Sequence, residues 1–203
     1  ADTPDFAVTD VYRLDGGGRT AAFAGFNRGV PSLIHFGRTL PDDDDLAALA
    51  IATIPNVGAG QIDPFLPQTL CPLAITGWQG HPGMILQSTD GRDYLANPVL
   101  VETEAVGAHD VQFTLFDRGN PEGIRLVISA ALDPHTGILR LSQRVTIPDG
   151  SSCSWLAAPA LPAPTGMSRI IDHSGRWCGE FRLQKSEWRT GAHVRESREG
   201  RTG

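Results

Sequence analysis

An alternation of apolar and polar side chains over residues 139–147 is the feature that most constrains how this chain can fold. Apart from Gln143, its odd positions are leucine, valine or isoleucine, and its even positions are arginine, serine or threonine. Successive side chains of a strand point to opposite faces, so this spacing predicts a strand with one buried face. Apolar alternation over residues 111–115 and 123–130, with the turn sequence DPHTG at 133–137, extends the prediction to an antiparallel meander with one solvent-exposed face.

Turn-forming residues spread along the whole sequence, which contains 23 glycines and 15 prolines. Scattered turn residues between short apolar segments are typical of a domain with many short strands. We predict further strands near residues 6–13, 20–27, 32–37, 69–76, 84–88, 99–105, 153–158, 169–174, 178–188 and 193–197. Only residues 46–52 suggest a helix, because the aspartates at 42–45 offer a cap and negative charge for its first turn. The prediction is an all-β fold, a large antiparallel β-sandwich with little helix.

Charge and composition exclude several classes of protein. A net charge of −6 argues against nucleic-acid binding, which needs a surplus of lysine and arginine. Without an apolar run of roughly 18 residues, we predict no membrane span. The first residues show no signal-peptide pattern, so we expect a cytoplasmic protein. The six histidines and three cysteines show no metal-ligand spacing, and we predict neither metal nor cofactor.

The four tryptophans support an alternative function. Trp78, Trp155, Trp177 and Trp188 provide aromatic faces of the kind that pack on pyranose rings, while for at least two of them we expect core packing instead. A free-standing carbohydrate-binding β-sandwich would expose such faces in a concave groove. A domain that docks on another domain would instead expose a broad apolar patch.

The last thirty residues carry the most specific motif. It reads G-x-W-x-x-E and continues after a leucine and a glycine to E-S-R-x-G-x-T, with residues Gly175, Trp177, Glu180, Gly191, Glu196, Ser197, Arg198, Gly200 and Thr202. This motif resembles the stretch that closes the N-terminal domain of glycoside hydrolase family 36, the bacterial α-galactosidases. Residues 32–40 and the sequence IPNVGAG at 54–60 are similar to two earlier blocks of that domain, in the same order.

The resemblance implies a β-supersandwich related to galactose mutarotase-like domains, here a single domain over residues 1–203. In the family, this domain precedes a (β/α)8 barrel that carries both catalytic carboxylates of a retaining glycosidase. We therefore expect the chain to be the N-terminal part of a longer, oligomeric α-galactosidase, packed on its own barrel, without catalytic residues and inactive alone. A mutarotase-like enzyme would need a glutamate base and histidines in one cleft, and no motif indicates one.

The resemblance also suggests roles for particular residues. In the family, the region ahead of the second block carries an acidic and aromatic patch that reaches a neighbouring subunit's active site in some tetramers. Asp43, Asp45 and Asp63 are accordingly our substrate-binding candidates. The aromatic partner is missing, and a solvated, helix-capping role for residues 42–45 stays open. From the closing motif we expect structural roles for Gly175, Trp177, Glu180, Ser197, Arg198 and Gly200.

Overall fold

The structure, a computed structural model, describes residues 7–55, 67–120, 123–164, 166–175, 178–189, 191 and 193–195. The chain divides into two compact units, which are described separately below. The first unit ends at Pro162 and the second begins at Ala163. The expectation of one domain over residues 1–203 stays a prediction.

Nearly half of the described residues lie in antiparallel strands. In chain order the elements are β1 (Val8–Gly16), β2 (Arg19–Phe26), β3 (Ser32–Arg38), α1 (Leu46–Ala52), a 3-10 helix (Ala74–Thr76), β4 (Met84–Gln87), β5 (Asp93–Tyr94), β6 (Pro98–Gly107), β7 (Asp110–Asp117), β8 (Arg125–Leu132), β9 (Leu139–Thr146), β10 (Ser152–Leu156), β11 (Arg169–Ser174) and β12 (Arg182–Glu187). The sheets have the orders β1-β2-β3, β10-β4-β5, β6-β7-β8-β9 and, in the second unit, β11-β12. This architecture confirms the predicted all-β, antiparallel fold. Within the described residues, no helix is long and apolar enough to cross a membrane.

The predicted meander is the four-stranded sheet β6-β7-β8-β9, in which every neighbouring pair is antiparallel. Along β8 and β9 the more buried and the more exposed side chains alternate residue by residue. One face of the sheet is therefore covered and the other faces solvent, as the sequence pattern predicts.

The core of the first unit lies between this sheet and the β1-β2-β3 sheet. Phe23 of β2 and Phe113 of β7 are buried, and their rings meet edge to face with centroids 5.6 Å apart. Tyr12 of β1 packs on the same Phe113 ring at 6.3 Å. Two sheets whose inner faces share one aromatic cluster form a β-sandwich.

Turns at one end of the sandwich also join the two sheets. Gly17, in the β1–β2 turn, has φ of 57° and donates its backbone N–H to Pro134 O at 2.7 Å. A side chain at Gly17 would come within 2.6 Å of Gly137 Cα in the β8–β9 turn, so this approach requires glycine. His109 adds a contact of 2.7 Å between Nδ1 and Asp15 O.

Two predicted strands do not form as expected. Residues 69–76 contain a single bridge between Thr69 and Ser32 and then the 3-10 helix, so the strand prediction there is wrong. Pro72 has no N–H to donate to a ladder, and Gly77 ends the 3-10 helix with φ of 84°. Residues 193–195 form no strand, and residues 196 and 197 lie outside the described part of the chain.

One further strand differs in its boundaries, and one short strand was not predicted. The strand expected over residues 178–188 is confined to β12, because Cys178 and Phe181 adopt left-handed φ angles of 64° and 57°. The two-residue strand β5 has no alternation that the sequence could reveal. Helix α1, in contrast, forms over the predicted residues.

Candidate functional site

The acidic segment, residues 42–45, follows β3 and leads into α1. Its entry is held by Arg13 of β1, which donates from Nη2 to Leu40 O at 2.7 Å and from Nη1 to Pro41 O at 2.8 Å. The same guanidinium lies 3.5 Å from Asp42 Oδ1. Arg13 therefore binds the backbone just before the segment and also its first carboxylate.

Asp15 and Thr20 hold Arg13 in place. Arg13 Nε donates to Asp15 Oδ2 at 2.6 Å, and the Thr20 hydroxyl donates to Asp15 Oδ1. The Thr20 hydroxyl also accepts the Leu40 N–H at 3.0 Å. Burial raises the pKa of Asp15, but the hydrogen bonds from Arg13 and Thr20 outweigh it and lower this pKa overall. The Asp15 hydrogen bond raises the pKa of Arg13.

The segment ends in a helix cap. Asp45 Oδ1 accepts the N–H groups of Ala47 at 3.0 Å and Ala48 at 2.9 Å, while the Asp45 backbone is extended. This geometry confirms that the aspartate run caps α1. Asp43 is exposed and makes no hydrogen bond or ion pair among the described residues. The two substrate-binding candidates thus have different roles, since Asp45 caps α1 and Asp43 does not.

Several predicted site residues lie outside the described residues: Asp63, Trp177, Ser197, Arg198 and Gly200. The structure therefore brings together Asp43 and Asp45, and their role in substrate binding stays a prediction. It also shows a network that the sequence reasoning missed, formed by Arg13, Asp15 and Thr20. The three residues are close in sequence, but their contact with the acidic segment has no local signal, because Arg13 meets its backbone partners 27 and 28 residues further along the chain.

In the second unit, Gly175 stands at a close approach of two backbone segments. Its φ is 151°, and a side chain there would meet Gly179 O and lie 2.8 Å from Glu180 Cα. Residues other than glycine are strained at this φ and have no room for a Cβ atom. Gly175 therefore has a physical reason for the predicted structural role, and Glu180 is half-buried at the same approach.

The hairpin β11–β12 exposes apolar side chains on one face. Ile171 pairs with Lys185, and His173 pairs with Leu183, so these four residues share a face. Ile171 is 60% exposed and Leu183 is 52% exposed. Phe181, 65% exposed, places its ring 6.2 Å from that of His173. We call Ile171, His173, Leu183 and Lys185, together with the neighbouring Phe181, the hairpin face. A two-stranded hairpin is marginally stable alone.

The first unit is thus a β-sandwich with an anchored acidic segment, and the second is a hairpin with an apolar face. A family model described as "Glycosyl hydrolase family 36 N-terminal domain" matches residues 29–203. The chain belongs to this family, as the motifs in its sequence suggested.

Solved structures share the fold. The chain aligns with the α-galactosidase AgaA from Geobacillus stearothermophilus at 16% identity and a TM-score of 0.71, covering 94% of this chain and 30% of that one. For AgaB from the same organism, the identity is 18% and the TM-score is 0.68, over 96% of this chain and 30% of that one. The α-galactosidase from Lactobacillus brevis aligns at 14% identity and a TM-score of 0.68, covering 89% of this chain and 28% of that one. The chain therefore spans about 30% of the length of these enzymes. No curated protein sequence matches it significantly.

Proposed function

We propose that this chain is the non-catalytic N-terminal domain of a retaining α-galactosidase and that it packs on the catalytic barrel of the same polypeptide. The observation that carries the proposal is the family match over residues 29–203. The fold match to α-galactosidases of which the chain spans only about 30% supports it. Glycoside hydrolysis needs two carboxyl groups that flank the scissile bond, and the barrel supplies both.

The hairpin face is the surface that we assign to the barrel contact. Ile171, Phe181 and Leu183 are each more than half exposed in the chain alone. Fully burying a side chain of this size contributes about 1.5–3 kcal/mol. A contact with the barrel would remove these side chains from water and would stabilise the hairpin at the same time.

The test is Ile171→Asp in the full-length enzyme and in the 203-residue chain. A buried, unpaired carboxylate disrupts a contact, so we expect this change to lower the melting temperature of the full-length enzyme but not that of the isolated chain. Ile138→Asp is the matched control, because Ile138 is 64% exposed in the β8–β9 turn of the first unit. An equal loss in both forms of the protein, or no loss in either, would contradict the barrel contact.

We assign the acidic segment to the substrate site of the assembled enzyme. Carboxylates accept strong hydrogen bonds from sugar hydroxyls, and Asp43 is exposed without a partner among the described residues. The experiment changes Asp43 and Asp45 to asparagine, which keeps the capping ability of the side chain and removes the charge.

The expected result is a fall of about tenfold in kcat/KM toward an aryl α-galactoside, which corresponds to about 1.4 kcal/mol, with little change in melting temperature. Asp149→Asn, at an exposed aspartate of the β9–β10 turn, is the control. Kinetics like those of the control would show that the segment is a solvated helix cap only.

The proposal includes three properties of the assembled enzyme. Its subunits associate into a homo-oligomer, and a galactoside is its substrate. It acts in the cytoplasm without a cofactor, a nucleic acid or a membrane as partner. Analytical ultracentrifugation of the full-length enzyme tests the first of these, since a monomer at assay concentration would contradict it.

A further inference from the structure

The sheet β6-β7-β8-β9 carries, on the face turned away from the core, charges that are separated by sign. The registers of its three strand pairs place alternate residues on this outer sheet face, while the other face, with Phe113, covers the core. The structure describes these four strands in full, and on the outer sheet face the carboxylates lie on β6 and β7 while the guanidinium groups lie on β8 and β9. The carboxylates are those of Glu102, Glu104 and Asp110, and the guanidinium groups are those of Arg125, Arg140 and Arg144. All six side chains are exposed.

A β-bulge in β6 places both glutamates of that strand on the outer sheet face. The register of β6 against β7 shifts after Leu100, so Val101 is an extra residue and Glu102 joins Glu104 on the same face. Among the described residues, neither glutamate side chain makes a hydrogen bond or an ion pair, and the same is true of the two arginine side chains of β9. These charges are therefore available to a group outside the chain.

One cross-strand row of residues joins the two signs of charge. It runs over successive strands through Glu102, Thr114, Val127 and Arg144. Because neighbouring strands lie about 4.8 Å apart, the backbones of the first and last residues of the row are about 14 Å apart. The row thus presents a carboxylate at one side of the sheet and a guanidinium group at the other, with uncharged side chains between them.

We propose that the outer sheet face binds the same face of a second copy of the chain, about a two-fold axis that runs parallel to the strands between β7 and β8. This rotation exchanges the two sides of the sheet but keeps each row at its own level. Glu102 of one copy therefore faces Arg144 of the other, and the contact occurs twice. A two-fold axis across the strands would instead bring like charges together, so the charges also select the orientation of the two copies.

The size of the outer sheet face predicts a weak dimer. β7, β8 and β9 have eight residues each. At about 3.4 Å per residue and about 4.8 Å per strand, the face covers about 500 Å² in each copy, or about 1,000 Å² in a dimer. This area is at the lower limit for a specific interface, and exposed ion pairs are screened by salt. The proposal names a surface for the association proposed above, but it does not rest on that association, because it concerns the 203-residue chain.

The experiment is sedimentation equilibrium of the 203-residue chain at low salt, over concentrations from about 1 to 200 μM. We expect a dimer whose dissociation constant rises at least about tenfold between about 0.05 and 0.5 M NaCl. Glu102→Arg and Arg144→Glu should each weaken the dimer at least about tenfold, and the double variant should return to within about threefold of the unchanged chain, because it restores both ion pairs with their signs exchanged. Arg38→Glu is the matched control with less than about a twofold effect, since Arg38 is exposed on β3 of the other sheet.

Circular dichroism of each variant establishes that it is folded, and Glu104→Arg replaces Glu102→Arg if the latter does not fold. The proposal is overturned if the unchanged chain is monomeric over the whole range, if a single reversal leaves the dimer unchanged, or if the double variant stays as weak as the single ones. A monomeric chain within an oligomeric full-length enzyme would overturn this surface alone. A dimeric chain within a monomeric full-length enzyme would overturn only the homo-oligomer proposed above. If the chain is monomeric and Glu102→Arg lowers the melting temperature of the full-length enzyme alone, the barrel occupies the face instead of a second copy.

Discussion

The buried carboxylate of Asp117 offers the most direct test of how the first unit is held together. Asp117 ends β7 and is 2% exposed. Its oxygens accept hydrogen bonds from Tyr94 Oη at 2.5 Å, from the Asn97 N–H, and from the Asn120 N–H at 2.8 Å. These donors come from β5, from the residue before β6, and from the loop after β7. The bond to Asp117 raises the pKa of Tyr94 to about 12.

Replacing Asp117 with alanine leaves three donors without their acceptor. A buried donor that loses its partner costs about 1–3 kcal/mol, and the backbone N–H groups of Asn97 and Asn120 lose theirs together with Tyr94. We therefore expect Asp117→Ala to lower the free energy of unfolding by about 3–5 kcal/mol. At about 2–4 °C per kcal/mol for a chain of this size, the melting temperature should fall by about 6–20 °C. Asp117→Asn should be intermediate, because it keeps one carbonyl acceptor but turns an N–H₂ group toward a donor.

The assay is urea unfolding of the 203-residue chain, followed by circular dichroism. Tyr94→Phe and the double variant complete a cycle that isolates the Tyr94–Asp117 bond, with an expected coupling of about 0.5–3 kcal/mol. Asp110→Ala is the matched control, since Asp110 begins the same strand but is exposed, and its effect should stay within about 0.5 kcal/mol. If Asp117→Ala unfolded at the same urea concentration as Asp110→Ala, the assigned role of this network would be refuted.

Two further predictions concern the acidic segment and its anchor. Asp45→Ala removes the cap of α1 and should cost about 1 kcal/mol, whereas Asp43→Ala should leave the urea midpoint unchanged; equal effects of the two variants would contradict the capping geometry. The second prediction is a pH dependence. Because the pKa of Asp15 is lower in the folded chain than its ordinary value of 3.8, the unfolded chain binds more protons on acidification. The stability that Asp15 contributes is therefore present above pH 3.8 and is lost as the pH falls through the folded pKa. Asp15→Asn should flatten the fall of the urea midpoint below pH 3.8, and a fall as steep as that of the unchanged chain would contradict the prediction.

The strands could be predicted from the sequence where each one is buried on a single face. β9 is the best example, because its alternation of buried and exposed side chains is visible in consecutive residues and does not depend on which strand it pairs with. The prediction failed over residues 69–76, where Leu70, Cys71 and Leu73 are all buried but no ladder forms. A short apolar run reports burial, and burial alone does not distinguish a strand from an irregular segment that crosses the core.

In the candidate site, too, hydrogen bonds between neighbouring residues could be predicted and contacts between distant residues could not. The cap at Asp45 was predictable, because its hydrogen bonds reach only two and three residues along the chain. The anchor was not, because Arg13 and Thr20 meet the backbone of Leu40 and Pro41 across 20 to 28 residues of the chain.

The anchor and the helix cap hold the acidic segment at its two ends. Arg13 and Thr20 bind the backbone of Leu40 and Pro41, so the direction in which the segment leaves β3 does not depend on the carboxylates at 43 and 45. Asp45 then fixes the far end through α1. With both ends of the segment held, changing Asp43 alters a charge without altering the backbone that carries it. A kinetic effect of Asp43→Asn in the full-length enzyme would therefore report a contact of that carboxylate and not a displaced loop.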